Sequence, residues 1–167
     1  MTLPLFLRLA VLVSIFLVSL SPLSAQDNQD TLGSLVPDSP VTLFDGSTVD
    51  VQDLKAGTEI WTWLPTEKPA PGKVTSVRRV HSDTYLLLKA GGHELQATGS
   101  HRIAITGGKL VRLDTIKLGD KVSVWGTRGP QDMVVSSVRA LPITMITYDL
   151  TIAGHRMFQV SGFLLGD

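Results

Sequence analysis

Val51-Gln-Asp-Leu-Lys-Ala-Gly-Thr-Glu-Ile-Trp-Thr-Trp63 and Leu113-Asp-Thr-Ile-Lys-Leu-Gly-Asp-Lys-Val-Ser-Val-Trp125 are two versions of one segment. The lysine, the glycine and the closing tryptophan coincide, and the apolar positions match. The correspondence continues downstream. Val74-Thr-Ser-Val-Arg78 lies on Val135-Ser-Ser-Val-Arg139, Thr84-Tyr85 on Thr147-Tyr148, Ala90-Gly91 on Ala153-Gly154, Leu95-Gln96 on Phe158-Gln159 and Thr98-Gly99 on Ser161-Gly162. One such match carries little, because Gly and Val recur in every β protein. An offset that stays within 61 to 63 residues across all of them indicates a duplication. Two halves of about sixty residues share one supersecondary plan and predict a pseudo-twofold axis.

The texture of each half is β. Val41-Thr-Leu-Phe44 and Ser47-Thr-Val-Asp-Val51 flank Asp45-Gly46, a dipeptide suited to a tight hairpin turn. Apolar or β-branched runs follow at 59–63, 73–80, 85–89, 101–105, 121–125, 133–138, 146–152 and 157–165. Gly or Pro clusters separate them at 65–72, 91–92, 107–108 and 126–130. No 3.6-residue apolar stripe occurs beyond the N-terminal segment, so the expectation is an all-β domain of many short strands.

A chain of 167 residues holds about one domain. Lys+Arg and Asp+Glu are equal at 15 each, leaving no basic excess to neutralise a phosphate backbone, so nucleic acid is not an expected partner. There is no cysteine, which removes disulfides, thiolate zinc sites and a thiol nucleophile. At the N-terminus Arg8 precedes the apolar run Leu9 to Leu20, followed by Ser21-Pro22-Leu23-Ser24-Ala25, the layout of a secretory signal cleaved after Ala25. The run is shorter than the ~20 residues that span a bilayer, and if left uncleaved it is the one membrane anchor expected. The organisation read from the sequence is a signal at 1–25, a polar linker at 26–33 and a domain at 34–167, a monomer in a secreted or extracytoplasmic location.

Function is sought where the two copies differ. Thr98-Gly-Ser-His101 falls on Ser161-Gly-Phe-Leu164, placing a histidine in one half where the other has leucine. A packing position would be apolar in both, so His101 is a candidate for chemistry. His81, His93 and His155 form no H-E-x-x-H frame, and no G-x-S-x-G elbow occurs. Neither a metal nor a cofactor is expected.

Six segments then stand in a definite order. They are Gly33-Ser34-Leu-Val-Pro-Asp-Ser-Pro-Val41-Thr-Leu-Phe-Asp45-Gly46, Leu54-Lys-Ala-Gly57-Thr-Glu-Ile60, Thr98-Gly-Ser-His101, Ile116-Lys-Leu-Gly119-Asp120-Lys-Val122, Tyr148-Asp-Leu-Thr-Ile152 and Phe158-Gln-Val-Ser-Gly162-Phe-Leu-Leu-Gly-Asp167. Their order and spacing resemble the Hint domains, the family of inteins and the hedgehog autoprocessing domain. The resemblance covers 34–167 and implies an all-β horseshoe with internal pseudo-twofold duplication. It also implies Ser34 as the nucleophile, Thr98 and His101 as the T-x-x-H pair, and Gly33 as the scissile acyl donor. Asp120, in the second Leu-x-x-Gly-Asp segment, and His155, near the histidine of the closing strand, are implied as accessory residues.

A serine hydroxyl can attack the carbonyl of the preceding peptide through a five-membered ring, at small entropic cost. The Gly33–Ser34 amide would become an ester, with His101 protonating the departing amine and Thr98 holding the scissile region. Gly33 has no Cβ to crowd the tetrahedral centre. Splicing needs a C-terminal Asn, but those positions read Gly166-Asp167 and the one asparagine is Asn28, so no extein ligation is expected. Two function classes follow. One is single-turnover self-cleavage, with the chain's own N-terminal segment as substrate; the other is a degenerate Hint domain retained as a secreted binding or structural module.

Overall fold

The computed structural model describes residues 33–154 and 156–166. The signal read at 1–25, the linker up to residue 32, His155 and Asp167 lie outside the described residues. Fourteen strands run in chain order among the described residues. They are β1 (Ser34–Leu35), β2 (Pro40–Thr42), β3 (Thr48–Asp50), β4 (Glu59–Trp63), β5 (Ala70–Ser82), β6 (Tyr85–Ala90) and β7 (His93–Ala97), then β8 (Arg102–Ile105), β9 (Lys109–Arg112), β10 (Lys121–Gly126), β11 (Gly129–Leu141), β12 (Met145–Ile152), β13 (Met157–Val160) and β14 (Phe163–Gly166). Helical geometry among the described residues is limited to short 3-10 turns.

The repeated segment folds the same way twice. Each copy opens in a 3-10 turn, Val51–Asp53 or Leu113–Thr115, whose first side chain is fully buried. Each then turns through a left-handed glycine, Gly57 at φ 94° or Gly119 at φ 89°, into β4 or β10. The following strands, β5 and β11, are both thirteen residues long. Each begins inside a Gly/Pro cluster read above as a turn. Pro71 and Pro130 are tolerated there because they lie at strand starts, where the missing N–H is least costly.

The two long strands tie the halves together. β5 pairs with β4 over its first residues and with β12 from Val74 onward. Its counterpart β11 pairs with β10 and then, from Val135, with β6. Each half therefore lends half of its longest strand to the other. The strand order β3-β2-β13-β4-β5-β12-β1-β7-β6-β11-β10-β14-β8-β9 reads nearly alike from both ends, and the β13–β14 pairing joins the flanks. The all-β, duplicated architecture is what the chain adopts.

Symmetry fails where the repeat is locally altered. The single run read at 157–165 is two strands, broken at Ser161 (φ 52°) and Gly162 (φ 88°). Segments 93–97 and 109–112, not read as strands, are β7 and β9. β7 remains in a hairpin with β6, while its repeat partner β13 pairs with β2, β4 and β14. β1 occupies the centre, between β12 and β7.

The main core of the described residues has Phe158, Phe163, Leu35, Ile60, Leu88, Leu95 and Ile103 fully buried, and a smaller cluster gathers Trp63, Ala104, Met157 and Leu164. Phe163 pairs across to Val124 and Val160 and so links the β10 side to β13. Phe163→Ala is expected to cost about 3–5 kcal/mol, the transfer term plus the cavity left behind, as measured by urea unfolding monitored by circular dichroism.

Candidate active site

Leu35, wholly buried, pairs with Tyr148 on β12 and Ala97 on β7. Alternation along β1 then turns Ser34 to the other face, directly opposite Asp149 of β12. On that face the diagonal neighbour is Thr147, and its Oγ1 lies 2.7 Å from Ser34 Oγ. Ser34 is 2% exposed.

Thr98 meets Ser34 from the end of β7. Its Oγ1 accepts the Ser34 N–H at 2.8 Å, and its own N–H donates to the Ser34 carbonyl at 2.9 Å. A tight turn, His101 N–H to Thr98 carbonyl at 3.1 Å, carries the chain on to His101. The second 3-10 turn pins this turn from outside, with Leu113 N–H donating to the His101 carbonyl at 2.8 Å and Asp114 N–H to the Gly99 carbonyl at 3.0 Å.

His101 is buried, with its ring 6.1 Å from that of Phe158. The imidazole donates to the Gly166 carbonyl on β14, while Nδ1 has no partner among the described residues. A carbonyl only accepts, so the proton sits on Nε2 and Nδ1 presents a bare lone pair. Burial pushes the pKa of His101 down to about 4, against a smaller opposing effect of the Gly166 carbonyl. The resting side chain is neutral.

Gly33 closes the cluster. A Cβ at this position would lie 2.2 Å from His101 Cα and 2.6 Å from its ring Cγ, so only glycine allows the backbone to lie against the histidine. The Gly33–Ser34 peptide is thus held between the Thr98 hydroxyl and His101. Gly33, Ser34, Thr98 and His101, drawn from distant stretches of sequence, share one place.

Other residues singled out in the sequence lie elsewhere or outside the described residues. The exposed Asp120 carboxylate accepts the Lys117 N–H at 2.8 Å and closes the turn before β10, taking no part in the Ser34 contacts. His155 is outside the described residues. Its neighbour Arg156 donates to Thr62 Oγ1 at 3.0 Å and to Glu67 at 2.8 Å.

Sequence reasoning missed Thr147 and Ser82 and gave Asp149 no role. Thr147 is fully buried; besides Ser34 it contacts Ser82 Oγ at 2.8 Å and the Val80 carbonyl at 3.2 Å. Asp149 is buried and paired with Arg78 at 3.0 Å.

Neither a protein-family model nor a curated protein matches the chain. Solved structures do. The M86 variant of the Ssp DnaB mini-intein superposes with a TM-score of 0.73 at 24% identity, over 81% of this chain and 94% of that one. A DnaB intein from Synechocystis sp. PCC 6803 gives 0.73 at 24%, over 80% and 97%. A bacterial intein-like domain from Clostridium thermocellum gives 0.71 at 19%, over 80% and 98%.

The depressed pKa of His101 has a consequence for stability. The unfolded chain takes up this proton near pH 6.5 and the folded chain only near 4, so the contribution is complete above 6.5 and declines as pH falls from 6.5 to 4. The slope reaches about 1.4 kcal/mol per pH unit. His101→Leu, which installs the residue of the other half, is expected to flatten this limb, as measured by urea unfolding at pH 7, 6 and 5.

Proposed function

We propose, from the premise that the chain has the Hint fold, that it acts once on itself at the Gly33–Ser34 bond. The supporting observation is the packing of Gly33 on His101 while Thr98 holds the Ser34 N–H. Ser34 Oγ adds to the Gly33 carbonyl carbon, the C–N bond breaks, and the Gly33 acyl group rests on Ser34 as an ester. The hydroxyl loses its proton, and the departing nitrogen takes one from the imidazolium form of His101. Water then hydrolyses the ester. The segment ending at Gly33 leaves as a carboxylic acid, and Ser34 becomes the new N-terminus.

Each site residue has a stated part in this reading. Ser34 is the nucleophile, His101 the acid and Thr98 the donor and acceptor that orients the scissile peptide. The absence of cysteine makes the intermediate an oxygen ester and leaves no site thiol to oxidise, which suits the extracytoplasmic location that the 1–25 segment suggests. The substrate is the chain's own N-terminal segment.

The second reading, an inactive Hint domain kept as a binding or structural module, draws on one feature of the resting geometry. Ser34 has partners for both its N–H and its hydroxyl, and His101 is neutral.

Intact-mass analysis of the full chain incubated with hydroxylamine, which attacks esters, separates the two. A product beginning at Ser34 is expected, absent in Ser34→Ala and strongly reduced in His101→Ala. Because the acid form of His101 is a minor species at neutral pH, the rate should rise about tenfold per pH unit as pH falls from 7 toward 5. An unchanged mass across this range leaves the inactive-module reading standing.

A further inference from the structure

The Ser34 hydroxyl does not face His101 for its hydrogen bond. It faces a line of hydroxyls running diagonally across three strands, from Ser34 on β1 to Thr147 on β12 at 2.7 Å and on to Ser82 on β5 at 2.8 Å. Strand register sets this line. Ser34 stands opposite Asp149, two residues from Thr147, and Thr147 stands opposite Val80, two residues from Ser82. Both contacts are diagonal pairs on one face of the sheet.

Distances rank the partners along this line. A hydroxyl has one proton and two lone pairs. On the other side of Ser34, Thr98 Oγ1 already accepts the Ser34 N–H and sits 3.5 Å from Ser34 Oγ, too far to be a strong partner. Thr147 Oγ1, at 2.7 Å, is the nearer hydroxyl acceptor for the Ser34 proton, and the Thr147 proton has two acceptors within reach, Ser82 Oγ at 2.8 Å and the Val80 carbonyl at 3.2 Å. Thr147 is fully buried, whereas Ser82 is half-buried at the last position of β5 and so lies between Thr147 and solvent.

We propose that Thr147 accepts the proton of the attacking Ser34 hydroxyl and that Ser82 passes the displaced proton to water. This rests on the self-cleavage reading and deepens it. As Oγ bonds to the Gly33 carbonyl carbon, its proton moves to Thr147 Oγ1, the Thr147 proton moves to Ser82 Oγ, and the Ser82 proton goes to a solvent water. The proton that reaches the departing nitrogen comes from His101, on the Gly33 side. Acid and base are thus on opposite sides of the scissile peptide. Thr147 touches the reacting atom; Ser82 acts through Thr147 and is a positioning residue.

The test uses the absence of cysteine in the chain. In the full chain carrying Ser34→Cys, the thiol is the only one present, and its titration can be followed by thiolate absorbance. The ionisable and charged groups around it are Asp149 opposite on β12, its partner Arg78, and His101 packed against the preceding Gly33, all unchanged across the variants. Adding Thr147→Val, which keeps the shape and removes the hydroxyl, is expected to raise the thiol pKa by about one unit or more, because the departing proton loses its acceptor and the thiolate its donor. Thr147→Ser restores the lower value, and Ser82→Ala, a change at a half-buried position, gives a smaller rise. In the serine chain, Thr147→Val is expected to slow hydroxylamine cleavage about tenfold or more, with rescue by Thr147→Ser. A thiol pKa that is the same with Thr147→Val and Ser82→Ala as without them overturns the proposal, whether or not the serine chain cleaves. A shifted pKa in a chain that never cleaves retains the proton path and overturns the self-cleavage reading instead.

Discussion

The burial of Leu35 between β12 and β7 is the contact on which the site depends. Strand side chains alternate strictly, so a slip of one residue would send Ser34 into the core and Leu35 out of it. With Leu35 fully buried the register is fixed, and Ser34 must face Thr147. A strand of only two residues is enough because Thr98 adds a hydrogen bond in each direction to Ser34. Ser34 is placed by the burial of its neighbour together with its own hydrogen bonds to Thr98.

The exchange of β5 and β11 makes that placement possible. Had each long strand stayed within its own half, β12 would pair only inside the second half and β1 would find no partner beside β7. Because β5 crosses to β12 and β11 crosses to β6, strands from the two halves meet at the centre, and β1 fills the gap between them. The copies then cease to be equivalent. Thr84 and Thr147 occupy the same repeat position, each followed by a buried tyrosine, yet Thr84 is exposed and Thr147 is fully enclosed.

That pair explains how much could be read beforehand. The duplication, the hairpin at Asp45-Gly46 and the His101/Leu164 difference are local patterns, which a linear sequence displays directly. Thr147 and Ser82 are different in kind. Thr147 reaches Ser34 across 113 residues, and only the register of β1, β12 and β5 brings them together. At Thr84/Thr147 the repeat preserved the residue and changed its surroundings, so comparing the copies hid the asymmetry it had exposed at His101. Asp120 is the converse case: its motif position suggested chemistry, and the local turn accounts for its carboxylate.

The burial of His101 sets stability against chemistry. A neutral imidazole fits the apolar surroundings near Phe158 and favours the fold at neutral pH, whereas the protonated form that could release the amine is disfavoured by the same burial. For an enzyme that turns over repeatedly, such a rarely protonated acid would be a poor choice. On the proposed self-cleavage reading, a bond cut once per molecule would set no such demand. On that reading the site would exist only once Leu35 is buried, and folding would precede the reaction.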